Sequence, residues 1–434
     1  MICCKTINIK DCRASEQPIC LLSQEVDKNT LDYINKISGN VLIKNNRTGK
    51  LIFRESYITY PLKSIKFMFG LGLVESLYCS VSLLFGRFLK LLSTLNNNKK
   101  SNYEYNLKQN VGSRAYNIFY KPYALKVWNC NPTLISKTAI KRQMAMVGPL
   151  SLLREFINYT IKKKHNKYFY YLEGGIGMFP QGLEKIALEN KVKIYKSVKD
   201  FEINSDSLQI DINGEIETIR FEKLISTISL TGITSKLNFT SAERKIVKKI
   251  EYRGLKLIFL HVNEDILVEG ESFYLPETKY NIGRVSIPNR FSSLMNTDKN
   301  FTSIICEIPC SHSDEIWNLD TSEVVAMCFR DLKEAGLIKG LNNVPSNYDF
   351  HLNISDVYPL FYNNWQTNIK SILKFVGDKY PNIYISGKSG FFMQSNLDRS
   401  IEMGKELPSK LNNGITPNKW YEKLDYYHNL LLRD

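Results

Sequence analysis

Two segments far apart in this 434-residue chain each have the pattern of a strand, a glycine turn and a helix, and this arrangement restricts the fold most. The first is a β-prone run at 168–172, followed by the helical spacing of Leu183, Ile186 and Ala187. The second is an apolar strand at 382–386, followed by a helix at 397–407. With the strands and helices between them, these units predict a mixed α/β (α+β) fold.

The turns of the two units supply backbone groups that can bind an anion. N–H groups are exposed at the start of a helix and the helix dipole is positive there, so a phosphate is favoured. The second turn gives the stronger prediction, but it lacks P-loop spacing and also fits a plain strand-to-helix connection. The predicted binding residues are Gly174, Gly175 and Gly177 in the first turn, and Gly387, Lys388, Ser389 and Gly390 in the second.

The residues between the two units are rich in strand patterns. Alternating apolar and polar residues predict antiparallel strands at 192–195, 198–203, 207–212 and 215–221, with a hairpin turn at Asn213-Gly214. A strand covered on both faces is predicted at 224–228, and helices are predicted at 241–250 and 322–335. A second β-rich block is predicted at 255–262, 272–275, 283–287 and 302–308.

The most apolar stretch, at 67–92, is interrupted by Glu75 and Arg87 and is too short to span a bilayer. We predict a buried helix here, followed by a polar loop at 96–102 and further helices at 103–160. A helix lying on a membrane surface is the alternative, because apolar and basic residues occur together. Those residues are Phe67, Phe69, Leu83, Leu84, Phe85 and Phe88, with Lys63, Lys66, Arg87 and Lys90.

Charge and cysteine content restrict the partners and the compartment. The 58 Lys and Arg residues outnumber the 43 Asp and Glu residues, and the net charge of +15 favours anionic partners. The nine cysteines are scattered without metal-ligand spacing, so we predict reduced thiols, a cytoplasmic location and no metal site. Membrane contact, if it occurs, would be peripheral and at the inner face. No secretory signal and no nucleic-acid-binding module are readable.

Seven segments share their order and spacing with a known family. They are 59–63 (TYPLK), 112–128 (GSRAYNIFYKPYALKVW), 174–183 (GGIGMFPQGL), 224–228, 274–288 (YLPETKYNIGRVSIP), 358–359 and 382–404. In this order they resemble the flavin-containing amine-oxidase-like superfamily, in particular its branch near protoporphyrinogen oxidase and UDP-galactopyranose mutase. The resemblance extends over most of residues 40–410.

The resemblance implies FAD as the cofactor, which performs the redox chemistry in such flavoproteins. It implies a discontinuous, incomplete FAD-binding-type domain, a β-sheet substrate domain and a helical subdomain. The turn at Gly387 and the helix beginning near Asn396, Leu397 and Asp398 would face the flavin, and both glycine turns would lie close together in one nucleotide-binding layer. The implied division is a remnant N-terminal segment at 1–58, the helical subdomain at 59–165, FAD-binding-like parts at 166–235 and 375–410, the substrate domain at 236–374 and a tail at 411–434.

The sequence departs from this family near its N-terminus. Family members open with a strand, a G-x-G-x-x-G turn, a helix and an acidic residue that binds the adenosine ribose. Here the first glycine is Gly39, and the pair Gly70 and Gly72 lacks the third glycine. We therefore predict that this truncated Rossmann unit binds FAD weakly or not at all. Three explanations stay open: the unit has been lost, is truncated in this chain or is supplied by another chain. If the chain is a truncated reading of a longer gene, the upstream sequence is expected to encode the missing strand and G-x-G-x-x-G turn.

Two classes of function remain open at this point. One is an FAD-dependent oxidoreductase-like protein that acts on a sugar nucleotide or lipid-linked sugar in polysaccharide biosynthesis. The other is a non-catalytic binding or scaffolding relative. Arg284 and Tyr358 are predicted to line the substrate cleft, where the Arg284 guanidinium would hold a phosphate or carboxylate. A structural ion pair is the alternative role for Arg284, and no catalytic acid or base is predicted.

Overall fold

The structure is a computed structural model that describes residues 6–9, 12–15, 22–60, 70–95, 102–142, 167–262, 266–295, 302–339 and 350–430. The predicted mixed helix-and-sheet fold is confirmed. The strands are β1 (Thr6–Ile9), β2 (Cys12–Ser15), β3 (Leu22–Ser23), β4 (Leu42–Asn46), β5 (Lys50–Phe53), β6 (Ser56–Thr59), β7 (Tyr168–Leu172), β8 (Val198–Ile203), β9 (Ser207–Ile212), β10 (Glu215–Arg220), β11 (Leu224–Ser226), β12 (Tyr252–Val262), β13 (Ser272–Tyr274), β14 (Arg284–Ser286), β15 (Thr302–Pro309), β16 (Phe350–Pro359) and β17 (Ile383–Ile385).

The helices follow the same chain order, with a π-helical turn at Tyr116–Tyr120 between α4 and α5. They are α1 (Lys28–Ile37), α2 (Leu73–Leu95), α3 (Tyr103–Val111), α4 (Ser113–Ala115), α5 (Lys121–Trp128), α6 (Met178–Glu189), α7 (Leu230–Ser235), α8 (Ser241–Val247), α9 (Glu315–Asn318), α10 (Thr321–Glu334), α11 (Trp365–Lys379), α12 (Gly387–Gly390), α13 (Leu397–Asn412), α14 (Pro417–Tyr421) and α15 (Leu424–Asn429). Within the described ranges, no helix is long and apolar enough to cross a membrane.

The largest sheet has seven strands in the order β16-β12-β15-β14-β13-β5-β6. Neighbouring strands are antiparallel, except β13 and β5, which are parallel. Strand β12, which lies between β16 and β15, is buried on both faces, as its apolar sequence requires. On one face, Val325 and Phe329 of α10 pack in the cluster that contains Ile258. On the other face, Phe169 of β7 packs in the cluster around Leu257.

Helices α2 to α5 pack over the edge of this sheet that is formed by β5 and β6. The ring of Phe53 on β5 meets that of Phe119 edge-on, with the centroids 5.4 Å apart. Helix α2 approaches α3 closely at Gly86, where an added Cβ atom would lie 2.7 Å from the Lys108 carbonyl oxygen. This close approach fixes one face of α2 against the rest of the helical region.

The two glycine-turn units lie close together, as predicted, because Ile176 and Phe179 share an apolar cluster with Ile401. Their strands do not form one layer, and that expectation is wrong. Strand β7 pairs antiparallel with β3 and β4, whereas β17 pairs parallel with β11 in a separate sheet.

Most of the other predicted elements are present, with shifted bounds. Strands β8, β9 and β10 form the antiparallel sheet, and both hairpin residues, Asn213 and Gly214, have the positive φ of a tight hairpin turn. The strand predicted at 192–195 is wrong, because this segment is irregular. The strand predicted to be covered on both faces ends at Ser226, and Ile225 is exposed. Predicted helical residues at 67–69 and 143–160 lie outside the described residues.

The implied domain division stays a prediction, but two of its segments contribute to larger units. Strands β5 and β6, from the predicted N-terminal remnant, are part of the seven-stranded sheet. Helix α14, from the predicted tail, carries the fully buried Trp420, which belongs to the largest apolar cluster. Both segments are therefore part of the packed fold.

Replacing Gly182 with alanine is expected to lower the free energy of unfolding by about 1–3 kcal/mol. Gly182 lies in α6, and an added Cβ atom would be 1.9 Å from the Ile37 carbonyl oxygen of α1. Chemical denaturation measures the change. Gly404→Ala in α13 is the matched control, since its Cβ atom would meet nothing within 4 Å and its helix propensity would rise by about 1 kcal/mol. Equal effects at the two positions would contradict the close contact of α1 with α6.

Candidate functional site

An ion pair between Arg284 and Glu307 lies on neighbouring strands of the seven-stranded sheet. The two residues are directly paired in the β14–β15 register, so their side chains share one face of the sheet. Arg284 Nε donates to Glu307 Oε1 at 2.8 Å, and Arg284 Nη2 donates to the same oxygen. The predicted alternative of a structural ion pair is therefore present.

The ion pair does not close off the guanidinium. The Arg284 side chain is 19% exposed, whereas the Glu307 side chain is 5% exposed. Nη1 of Arg284 has no hydrogen-bond partner within the part of the chain that the structure describes. Burial lowers the pKa of Arg284 and the Glu307 carboxylate raises it, with a net value well above the ordinary one. Burial raises the pKa of Glu307, although Arg284 opposes this shift.

Three tyrosines from three different elements surround Arg284. Tyr274 of β13 is directly paired with Arg284, and Tyr358 of β16 and Tyr123 of α5 interact with it electrostatically. All three tyrosines are half-buried, and their hydroxyls make no hydrogen bond to the described residues. Burial raises the pKa of Tyr123 to about 12 and also raises that of Tyr358, so both hydroxyls can donate at neutral pH.

We call Arg284, Tyr123, Tyr274 and Tyr358 the arginine–tyrosine site. Its guanidinium and its hydroxyls are hydrogen-bond donors on one face of the sheet, which is the chemistry that binds phosphate or carboxylate. Sequence reasoning identified Arg284 and Tyr358 but missed Tyr123, Tyr274 and Glu307. The register of β13, β14 and β15 places Tyr274 and Glu307 beside Arg284. No motif in the sequence indicates this register.

Lys126 of α5 has a structural role near this site. Its Nζ atom donates to the carbonyl oxygens of Leu275 at 2.6 Å, Glu277 at 3.0 Å and Ile282 at 2.7 Å. Burial lowers the pKa of Lys126 to about 7, while Asp331 and Glu277 oppose that shift. With all three ammonium hydrogens directed to backbone oxygens, Lys126 ties α5 to the loop between β13 and β14. This fixes the helix that carries Tyr123.

The turn at Gly387 is the short helix α12. It packs against β16, which carries Tyr358. The Tyr252 hydroxyl of β12 donates to the Ser389 carbonyl oxygen at 2.6 Å, which connects the turn to the large sheet. Gly387 has φ +78°, so glycine is required there. The N–H groups of Gly387, Lys388 and Ser389 have no hydrogen-bond partner among the described residues.

The turn at Gly174, Gly175 and Gly177 differs, because three backbone donors of its segment are already hydrogen-bonded. Gly175 N donates to the Leu172 oxygen at 2.8 Å, Met178 N to the Gly175 oxygen and Phe179 N to the Ile176 oxygen. Pro180, the next residue of α6, has no N–H group. The anion role of Gly174, Gly175 and Gly177 stays a prediction, and fewer donors are free in this segment than that role assumes.

The start of α13 carries the remaining predicted cofactor residues. Asn396 is the N-cap residue, but its side chain makes no capping bond to the helix. Leu397 packs against the apolar cluster of α1, β7 and α6. Asp398 is buried in the first turn of α13, where the helix dipole favours its carboxylate. A phosphate at this point would meet that negative charge.

The outer edge of β17 is closed by side chains of α14. On its inner edge, β17 pairs with β11 through Tyr384. On its outer edge, the Trp420 indole Nε1 donates to the Ile385 oxygen at 2.9 Å. The Tyr421 hydroxyl donates to the Ile383 oxygen at 3.0 Å and accepts from Ile385 N at 3.1 Å. No further strand can pair with this edge while α14 is in place, because every ladder group there has a partner.

These observations test whether the described residues fit FAD. Helix α12 has free N–H groups in its first turn and packs against β16. In the first glycine turn Gly175 N, Met178 N and Phe179 N are already hydrogen-bonded, and α14 occupies the edge at which the β11–β17 sheet would be extended. The described residues therefore fit a single phosphate group and do not fit a complete dinucleotide.

Comparison with solved structures shows that this architecture is known. A reduced UDP-galactopyranose mutase matches with a TM-score of 0.79 at 16% sequence identity, over 99% of this chain and 89% of that one. A protein assigned as a protoporphyrinogen oxidase from Exiguobacterium sp. 255-15 matches with a TM-score of 0.63 at 13% identity, over 95% and 90%. Cyclohexylamine oxidase from Brevibacterium oxydans IH-35A matches with a TM-score of 0.57 at 10% identity, over 93% and 88%.

These similarities show the fold. The chain has the fold of the amine-oxidase-like flavoproteins, and the predicted resemblance is confirmed at that level. No protein-family profile matches the sequence, and no curated protein sequence matches it.

Proposed function

We propose that this chain binds a sugar nucleotide or a lipid-linked sugar diphosphate at the arginine–tyrosine site. The observation that carries this proposal is the open Nη1 side of Arg284 among the unpaired hydroxyls of Tyr123, Tyr274 and Tyr358. A guanidinium with several hydroxyl donors suits the oxygens of a diphosphate. The net charge of +15 adds long-range attraction for such an anion.

The class of ligand is also supported by the structural neighbours. The mutase with a TM-score of 0.79 is named for UDP-galactopyranose, a sugar nucleotide. Its fold is matched over 99% of this chain, including the seven-stranded sheet. We infer a role in the use of sugar donors for polysaccharide synthesis. The free cysteines Cys79, Cys130, Cys306, Cys310 and Cys328 support a reducing, cytoplasmic location.

We propose further that this chain acts mainly as a ligand-binding module and holds FAD weakly or not at all. Two features support this role: the outer edge of β17 is closed by Trp420 and Tyr421, and the printed sequence contains no G-x-G-x-x-G turn. An FAD-dependent oxidoreductase is the second candidate. It is favoured by the fold and by the free N–H groups of α12 beside β16.

Titration calorimetry with UDP-galactose, UDP, inorganic pyrophosphate and uridine tests the proposed ligand class. We expect UDP-galactose and UDP to bind with dissociation constants between about 1 μM and 1 mM, and pyrophosphate to compete with them. Uridine should bind at least about tenfold more weakly, because it lacks the phosphates that Arg284 would contact. Equal binding of uridine and UDP, or no binding of either at millimolar concentration, would contradict an anion site at Arg284.

A further inference from the structure

Helix α2 has an apolar face that is exposed along most of its length. Eight large side chains on this face are 56–87% exposed, and together they present on the order of 1,000 Å² of surface. The largest apolar patch on a typical monomer is about 300–600 Å². We call this face the α2 stripe, and it consists of Leu73, Val74, Leu77, Tyr78, Val81, Leu84, Phe85 and Phe88.

The opposite face of α2 is attached to the protein, so the helix cannot turn the stripe inward. Cys79 is buried, and the Ser82 hydroxyl accepts a hydrogen bond from Arg114 N at 3.0 Å. Gly86 is in backbone contact with α3, as described above, and Leu83 lies against Gly112. The buried helix predicted from sequence is thus wrong for half of its surface. Both faces are apolar, and among the described residues only the opposite face packs against other elements.

The charges around the α2 stripe are mostly positive. Glu75 is the single acidic residue of α2, and its carboxylate accepts two hydrogen bonds from Arg114 and lies 3.7 Å from Arg54. Hydrogen bonding by Arg114 lowers the pKa of Glu75, so this carboxylate is ionised and its charge is balanced. Arg87 adds a positive charge to the second half of the helix.

We propose that the α2 stripe docks the protein on an anionic membrane surface. Leucine and aromatic side chains on one helix face, with basic residues beside them, are typical of helices that lie in the bilayer interface. The stripe runs from residue 73 to residue 88, a length of about 22 Å, and lies parallel to such a surface. This inference does not depend on the ligand proposed for the arginine–tyrosine site.

A second copy of the chain fits this face less well than a lipid surface does. In a twofold dimer the stripe would pair with itself, and the net positive charge beside it would face the same net positive charge on the other copy. Anionic headgroups would instead be attracted by the net positive charge that Arg54, Arg87 and Arg114 leave once Glu75 is balanced, at on the order of 1 kcal/mol for each net charge near the surface. Charge complementarity therefore selects the membrane.

Sedimentation with lipid vesicles tests this surface. The full chain should bind vesicles of phosphatidylcholine with 30% phosphatidylglycerol and should bind at least about tenfold less to pure phosphatidylcholine or in 0.5 M salt. The variant Leu77→Ser/Leu84→Ser should lower binding to the anionic vesicles at least about tenfold, because two apolar side chains are lost from the interface. Ile216→Ser is the matched control, since Ile216 is 72% exposed on β10, and it should bind as the unchanged chain does.

The oligomeric state of the same variants distinguishes membrane docking from a dimer in which a second copy of the chain covers the stripe. Membrane docking is supported if the unchanged chain is monomeric at micromolar concentration and loses vesicle binding in the double variant. It is overturned if the chain is a dimer that dissociates in the double variant and does not bind anionic vesicles. Equal vesicle binding by the double variant and by Ile216→Ser would also overturn it.

Discussion

Replacing Arg284 with methionine and Glu307 with leucine in one variant is expected to weaken the binding of UDP-galactose by about 100-fold. The guanidinium would make charge-assisted hydrogen bonds to the diphosphate, each worth about 1.5–3 kcal/mol, and two such bonds at the lower value correspond to roughly this factor. Both partners are replaced because Glu307 is buried and would be left unpaired by Arg284→Met alone, at a cost of about 3–5 kcal/mol. Apolar residues of similar size at both positions keep the fold stable.

Titration calorimetry measures this effect, and circular dichroism confirms that the double variant is folded. Tyr358→Phe removes one hydroxyl without changing any charge, and we expect it to weaken binding by about tenfold. Tyr426→Phe is the matched control, because Tyr426 is 48% exposed on α15 and does not belong to the site. A folded double variant that binds UDP-galactose as tightly as the control would place the ligand elsewhere.

Replacing Tyr421 with phenylalanine is expected to lower the free energy of unfolding by about 2–4 kcal/mol. The lost hydroxyl serves two backbone groups on the outer edge of β17, the Ile383 oxygen and Ile385 N. Each would be left buried without a partner, at about 1–3 kcal/mol. Burial raises the pKa of Tyr421, which is consistent with a hydroxyl that stays protonated in this position.

Chemical denaturation of Tyr421→Phe and Tyr426→Phe compares two tyrosines five residues apart. The Tyr426 hydroxyl donates to Glu402 at the surface, so its loss should change stability by about 0.5 kcal/mol or less. Similar small effects for both variants would show that α14 does not close the edge of β17. A large effect at Tyr421 alone would establish that closure.

The sequence was sufficient to predict those strands and turns whose apolar and polar pattern lies within a few consecutive residues. The alternating strands of β8 to β10 and their Asn213-Gly214 turn could be predicted because each residue's face follows from the strand period. The exposure of the α2 stripe could not be predicted from the sequence. Periodicity shows that a helix face is apolar but does not show whether another element covers that face.

The candidate site was predictable only in part. Arg284 and Tyr358 were identified from sequence, but Tyr123, Tyr274 and Glu307 join them through the sheet register and helix packing. The anion role predicted for the Gly174 turn depended on counting glycines, while Pro180, visible in the same segment, removes one of the needed donors. The closure of β17 by Trp420 and Tyr421 joins residues far apart in the chain and has no sequence signal.

The amount of FAD that the 434-residue chain retains is the most direct test of a ligand-binding module that does not hold the flavin by itself. The purified chain is incubated with excess FAD, separated by gel filtration and denatured, and the fluorescence of the released flavin is measured per chain. We expect less than about 0.1 FAD per chain, because a weakly held cofactor dissociates during the separation. One FAD per chain would contradict this role and would favour the FAD-dependent oxidoreductase.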